Sequence, residues 1–200
     1  METIRTFVAI HLPPTILKAL AELQGRLQRG PGGAAGRWMR PEGIHLTLQF
    51  LGDMPRDQLA RVFAAVDHAC AGRKGFDYTV GRLGCFPNAR RPRVVWVSLR
   101  EETGQLADLQ RAIAHELALV GFPPEQRPFA PHLTLARVRQ EAPGREIEAL
   151  GTWVTSGAAS RDADVGDLGM ARAASVHVMR SDLRPTGALY TSLHETPLQD

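Results

Sequence analysis

Two copies of one tetrapeptide, His45-Leu46-Thr47-Leu48 and His132-Leu133-Thr134-Leu135, hold the residues of this chain best suited to chemistry. Each copy sits in an apolar run that reads as a β-strand. Side chains alternate along a strand, so the histidine and threonine of each copy project from one face and the two leucines from the other. Two such strands facing each other across a cleft surround one small site with two imidazoles and two hydroxyls. Imidazole titrates near neutrality, so one ring can take a proton while the other gives one, which is the equipment for acid-base chemistry on a phosphodiester without a metal. One copy alone reads as an amphipathic strand with a polar face; the identical second copy is what points to a site.

Other candidates rank around these four. Arg137 lies on the strand that carries His132, where its guanidinium is placed to meet a phosphate, and a planar fork suits phosphate geometry. Arg82, Arg90, Arg91 and Arg93 cluster between two strand-like runs, while Arg127 and Arg139 flank the second motif; at least half of these read as solvated surface. The histidine-threonine spacing lacks the carboxylate or cysteine partners of a zinc site, so neither metal nor cofactor is expected. Cys70 and Cys85 form no CxxC pair and read as free thiols. His11, His68, His115, His177 and His194 have no repeated neighbour and are left out of the site.

The elements that must position the motifs follow from periodicity. Ile4 to Ile10 reads as a buried strand, and Pro13 and Pro14 open a helix with Ile16, Leu17, Leu20, Leu23 and Leu27 at helical spacing. The first motif strand spans Ile44 to Leu51, followed by a helix from Arg56 to Ala71. Strands Phe76 to Leu83 and Arg93 to Leu99 bracket a loop with Phe86, Pro87, Asn88 and the arginine cluster, a candidate cleft rim. Thr103 is placed to cap the next helix, which ends at Gly121. After the second motif come a helix from Arg145 to Val154, a weakly signalled stretch from Ser156 to Ala174, and a hairpin-like ending, Ser175 to Met179 and Leu189 to His194. Two similar cycles of strand and helix imply an α+β protein of two pseudo-repeated lobes. No GxGxxG or Walker-type loop is present. With 200 residues and a formal net charge of +3, the chain permits an anionic partner without demanding one. It shows no signal region and no bilayer-length apolar run, and is expected to be a soluble, cytoplasmic monomer without membrane association.

RTFVAIHLP near the start, RWMRPEGIHLTLQFLG, CFPNARRPRVVWV, RPFAPHLTLAR and MRSDLRPTGALYTSL near the end resemble the LigT-like 2H phosphoesterases, and among them the RNA 2′,3′-cyclic phosphodiesterases. The resemblance covers nearly the whole chain. It implies a single bilobal domain over residues 1–200, with two antiparallel sheets lining a central cleft and helices outside. It also implies hydrolysis of RNA 2′,3′-cyclic phosphate ends to 2′-phosphomonoesters, with His45, Thr47, His132 and Thr134 catalytic and Arg137 on the phosphate. A family strand is expected within Ser156 to Ala174, whose residues are poor strand formers.

The family analogy assigns water activation to His132 and protonation of the departing 3′ oxygen to His45; the symmetry of the motifs gives no independent order. Thr47 and Thr134 would donate hydrogen bonds to the non-bridging oxygens. Phe50, Phe86, Trp96 and Phe129 each read first as core, but one aromatic under a terminal base would suit an enzyme acting on many RNA ends, and Phe50 and Phe129 are the candidates, with Arg91 as a further substrate contact. Two other readings stay open: a noncatalytic module that holds RNA ends, and 2′-5′ RNA ligation as the main reaction.

Overall fold

The computed structural model of the protein describes residues 2–156, 168–184 and 187–200. Nine strands and four helices follow one another as β1 (Thr3–His11), α1 (Pro14–Arg29), β2 (Gly36–Trp38), β3 (His45–Pro55), α2 (Leu59–Cys70), β4 (Phe76–Phe86), β5 (Val94–Arg100), α3 (Gln105–Leu119), β6 (His132–Val138), α4 (Gly144–Thr155), β7 (Gly169–Ala173), β8 (Ser175–Arg184) and β9 (Gly187–Pro197). The named strands pair antiparallel in the order β7-β4-β5-β6-β3-β1-β8-β9, with β2 also on β6. The sheet is thus two antiparallel halves, β7-β4-β5-β6 and β3-β1-β8-β9, that meet at β6 and β3 through one register pair, Leu46 opposite Leu133. These halves are not consecutive stretches of chain, because β1 pairs with both β3 and β8.

The helices cover the leucine face of the sheet. α1 buries Ile16, Leu20, Leu23 and Leu27, the spacing that marked it as amphipathic, and Pro14 starts it at a position where no intrahelical N–H is needed. α2 and α3 pack on each other and α3 also meets β3. Leu46, Leu48, Leu133 and Leu135 all join one large apolar cluster. Burying a leucine there contributes about 1.5–3 kcal/mol, so the motif's apolar half is what holds its polar half in place.

Three local expectations are revised. Thr103 does not cap α3: the Glu101 carboxylate accepts from the Leu106 N–H at 3.1 Å and from the Thr103 N–H at 2.6 Å, a stronger acceptor for the positive end of the helix. β4 runs three residues beyond Leu83, bringing Phe86 to its end. In the weakly signalled stretch, Gly169–Ala173 forms β7 on β4; its ladder and the burial of Ala171 and Ala173 outweigh poor strand propensity. Residues 157–167 of that stretch lie outside the described residues. No helix among the described residues is long and apolar enough to cross a membrane.

Candidate active site

The pair Leu46–Leu133 fixes where the motif residues lie. Antiparallel register puts His45 abreast of Thr134 and Thr47 abreast of His132, and all four project from the face opposite the buried leucines. In an ideal ladder the two histidines would be diagonal neighbours, roughly 7–8 Å apart, and a single register pair joins the two strands. The same four side chains are half-buried.

Each imidazole is locked in the same way. His45 Nδ1–H donates to the Gly43 carbonyl at 2.8 Å, and His132 Nδ1–H donates to the Ala130 carbonyl at 2.8 Å. A carbonyl only accepts, so Nδ1 keeps its hydrogen and Nε2 carries the lone pair of the neutral ring in both histidines.

Both motif strands then break step at the same place. The β1–β3 register slips at Leu48, and the β5–β6 register slips at Leu135. The burial pattern of the two strands is identical over seven residues, with consecutive buried positions at Leu48-Gln49 and Leu135-Ala136. A bulge of this kind shifts the alternation by one, and it turns Phe50 and Arg137 to the face of the histidines, where strict alternation would have turned them into the core. Phe50 is 51% exposed, high for its size. Each slipped carbonyl is held from behind by a glutamine. Gln24 of α1 donates to Leu135 O at 3.0 Å and to Met39 O at 3.0 Å, and Gln110 of α3 approaches Leu48 O at 3.4 Å.

Aromatic rings wall the two histidines unequally. Phe7 stacks on His45 at 4.6 Å and Tyr190 meets the same ring edge-on at 4.9 Å. His132 has the edge of Phe86 at 5.1 Å, and Phe86 in turn leans on Trp96 at 4.9 Å. Gly84 makes room for Trp96: a Cβ at Gly84 would come within 2.2 Å of the indole. Burial pushes the His45 imidazole down to about 4, the Gly43 hydrogen bond pulls it back and the field of His11 lowers it further. Burial holds the Tyr190 phenol up, opposed by the charges of Arg137 and Arg5. Arg137 lies on one half of the sheet and Tyr190 on the other.

The remaining predicted contacts fall differently. Arg91 is exposed in the β4–β5 loop, where its N–H and that of Arg90 donate to Asn88 Oδ1 at 3.0 Å. Phe129 is half-buried and packs against the main core, so its ring is used inward as a support for the lead-in to β6. Tyr190 and Phe7 were not foreseen, because each reaches His45 only through strand pairing distant in sequence. Among the described residues no group of three or more His, Cys, Asp and Glu is placed to hold a metal ion.

Residues 10–96 and 97–153 match the family model of LigT-like phosphoesterases. The chain belongs to the LigT-like phosphoesterase family. It is 31% identical over 190 residues to an RNA 2′,3′-cyclic phosphodiesterase of Methanothermobacter thermautotrophicus, covering 95% of this chain and 96% of that one. It is 32% identical over 202 residues to an RNA 2′,3′-cyclic phosphodiesterase of Thermus thermophilus, covering 98% and 90%. The fold matches the crystal structure of Escherichia coli LigT in its apo form over the full length of both chains, with a TM-score of 0.73 and 24% identity. The expected α+β architecture of two antiparallel sheets is present as two halves of one curled sheet joined at Leu46–Leu133.

Proposed function

We propose that this phosphoesterase hydrolyses RNA 2′,3′-cyclic phosphate ends to 2′-phosphomonoesters by proton transfer between His132, water, the phosphate and His45, with no metal. The observation that carries the reading is the matched Nδ1 locks: two imidazoles on one face, each leaving Nε2 as the nitrogen with the free lone pair. The names of the two relatives support the substrate class.

In the proposed step, neutral His132 Nε2 takes a proton from water, and the water oxygen attacks phosphorus in line with the bond to O3′. The P–O3′ bond breaks and His45 Nε2–H protonates O3′. The phosphate stays on O2′, and proton exchange with solvent resets both rings. Thr47 and Thr134 donate to the non-bridging oxygens, where charge builds in the transition state. Arg137 contacts the phosphate, Phe50 stacks under the terminal base, and Arg91 meets the RNA backbone from the rim.

The low proton affinity of His45 in the free protein fits the acid role once substrate is bound. A phosphodiester anion beside the ring raises that affinity and favours the imidazolium, which then gives its proton to the leaving oxygen. The test is His45→Ala and His132→Ala, each assayed on a short RNA with a 2′,3′-cyclic end. Each variant folds, because both side chains lie on the polar face, and each loses turnover by about 10²- to 10⁴-fold. Retained turnover in either folded variant rejects the scheme.

A further inference from the structure

Beside the motif residues lies a second group of titratable side chains that the reaction does not use. His11, the last residue of β1, is the direct register partner of His45 and so lies on the same side of the sheet. His11 in turn stacks face to face on His177 of β8, ring centroids 3.9 Å apart and planes 11° from parallel. Three imidazoles from three adjacent strands therefore form a row.

The far end of that row is anchored by polar contacts. Ser175 Oγ lies 3.0 Å from His177 Nε2 and Ser192 Oγ 3.1 Å from His177 Nδ1, while Glu195 Oε1 is 3.8 Å from His177 Nε2. His11 Nε2 lies 3.2 Å from the Met179 sulfur. Facing His11 are thus His45 from β3, His177 from β8 and Glu195 from β9, with Met179, Ser175 and Ser192 as neutral neighbours.

We propose that His11 and His177 act as a stacked pair that controls the charge of His45, which makes them positioning residues for proton transfer in the reaction proposed above. Two neutral imidazoles stack well, but two imidazoliums at this separation repel, so the pair binds its protons as a coupled unit. Burial lowers the proton affinity of both rings, the field of His11 lowers that of His177 further and Glu195 raises both, so the pair takes up its protons at lower pH than an ordinary imidazole. A charged pair next to His45 opposes the imidazolium that the leaving oxygen requires. The stacked pair therefore sets the acid limit of the enzyme through His45, and His11 and His177 themselves never touch substrate.

The test reads the rings directly, by NMR titration of the histidine Cε1–H signals in the free protein, wild type beside His11→Phe. Phenylalanine keeps a ring stacked on His177 at an exposed strand end and removes only the titrating nitrogens. We expect the His45 midpoint to move to higher pH in the variant by on the order of half a pH unit or more. Coincident His45 curves in the wild type and the folded variant would overturn the proposal. Glu195→Gln provides a second reading: the His11 and His177 midpoints should move to lower pH, and unmoved midpoints count against the pair. No substrate enters either titration. A protein with intact titrations but no activity would undo the reaction proposed above and leave this coupling standing, and coincident titrations in an active enzyme would do the reverse.

Discussion

Gln24 Nε2 donates to the carbonyl of Leu135 at the point where β6 slips register, two residues before Arg137. The side chain is 2% exposed and spends its other amide hydrogen on Met39 O, so nothing else competes for it. α1 thereby holds the bulge that aims Arg137 into the cleft. Gln24→Leu removes a buried donor from two carbonyls, of which Leu135 O keeps the Met39 N–H at 2.8 Å, at a cost of about 1–3 kcal/mol. Its catalytic signature should be a raised KM for cyclic-phosphate RNA with a smaller change in kcat, because the motif histidines lie before the bulge. Equal losses in both constants would show that Gln24 supports the whole strand and not the aim of Arg137.

Phe50 and Arg137 occupy equivalent places on the two motif strands, yet they should fail differently when removed. Phe50→Ala should weaken binding of a cyclic-phosphate oligonucleotide by about 1–3 kcal/mol, seen as a higher KM, with turnover at saturation nearly unchanged. Arg137→Ala should raise KM, lower kcat and flatten the salt dependence of binding, since it removes a charge that acts on the phosphate in the ground and transition states. Steady-state kinetics at two ionic strengths separates the two patterns.

Proton uptake should accompany anion binding. His45 is held down to about 4 in the free protein, and an anion next to it raises that value, so binding inorganic phosphate near pH 6 should draw a proton from solvent. Calorimetry in buffers of different ionisation enthalpy measures that proton. The same depression has a stability consequence. Between the folded value of about 4 and the ordinary value near 6.5, the unfolded chain binds more protons at His45 than the folded one does. Stability from this group is therefore present above pH 6.5 and lost as pH falls toward 4, with His11 and His177 acting in the same direction. Thermal melts from pH 7 to pH 4 should show the decline, and His45→Gln should flatten it.

The joint between the halves of the sheet is narrow enough to test by one substitution. Leu133 is fully buried and is the register partner of Leu46. Leu133→Ala should cost about 2–5 kcal/mol in stability, and in the surviving folded fraction it should lower kcat by loosening the spacing of the two motif strands. Denaturant titration with activity normalised to folded protein checks both effects.

How much of this was legible in the chain varies by the range of the interaction. The two motifs, the helix from Pro14 and the buried strand near the start were visible because hydrophobic period and turn residues are local signals. Arg137 and Phe50 were reachable as candidates, but the reason they face the site was not: a bulge appears only when the partner strand is known, and on strict alternation both would point inward. His11 and His177 looked like isolated histidines because their neighbourhood is built by β1 pairing with β3 on one side and β8 on the other. Phe129 reads first as core in the sequence and packs against the main core in the fold.

The central claim is that two histidines, without a metal, open the ring of a 2′,3′-cyclic phosphate at the bond to O3′. Phosphorus NMR of purified protein with a short 2′,3′-cyclic-phosphate RNA in excess EDTA follows both the rate and the isomer formed. The account predicts full activity in EDTA and a 2′-phosphomonoester product. Predominant 3′-phosphate would reverse the orientation of the acid, and loss of activity on chelation, restored by a divalent metal, would contradict the mechanism outright.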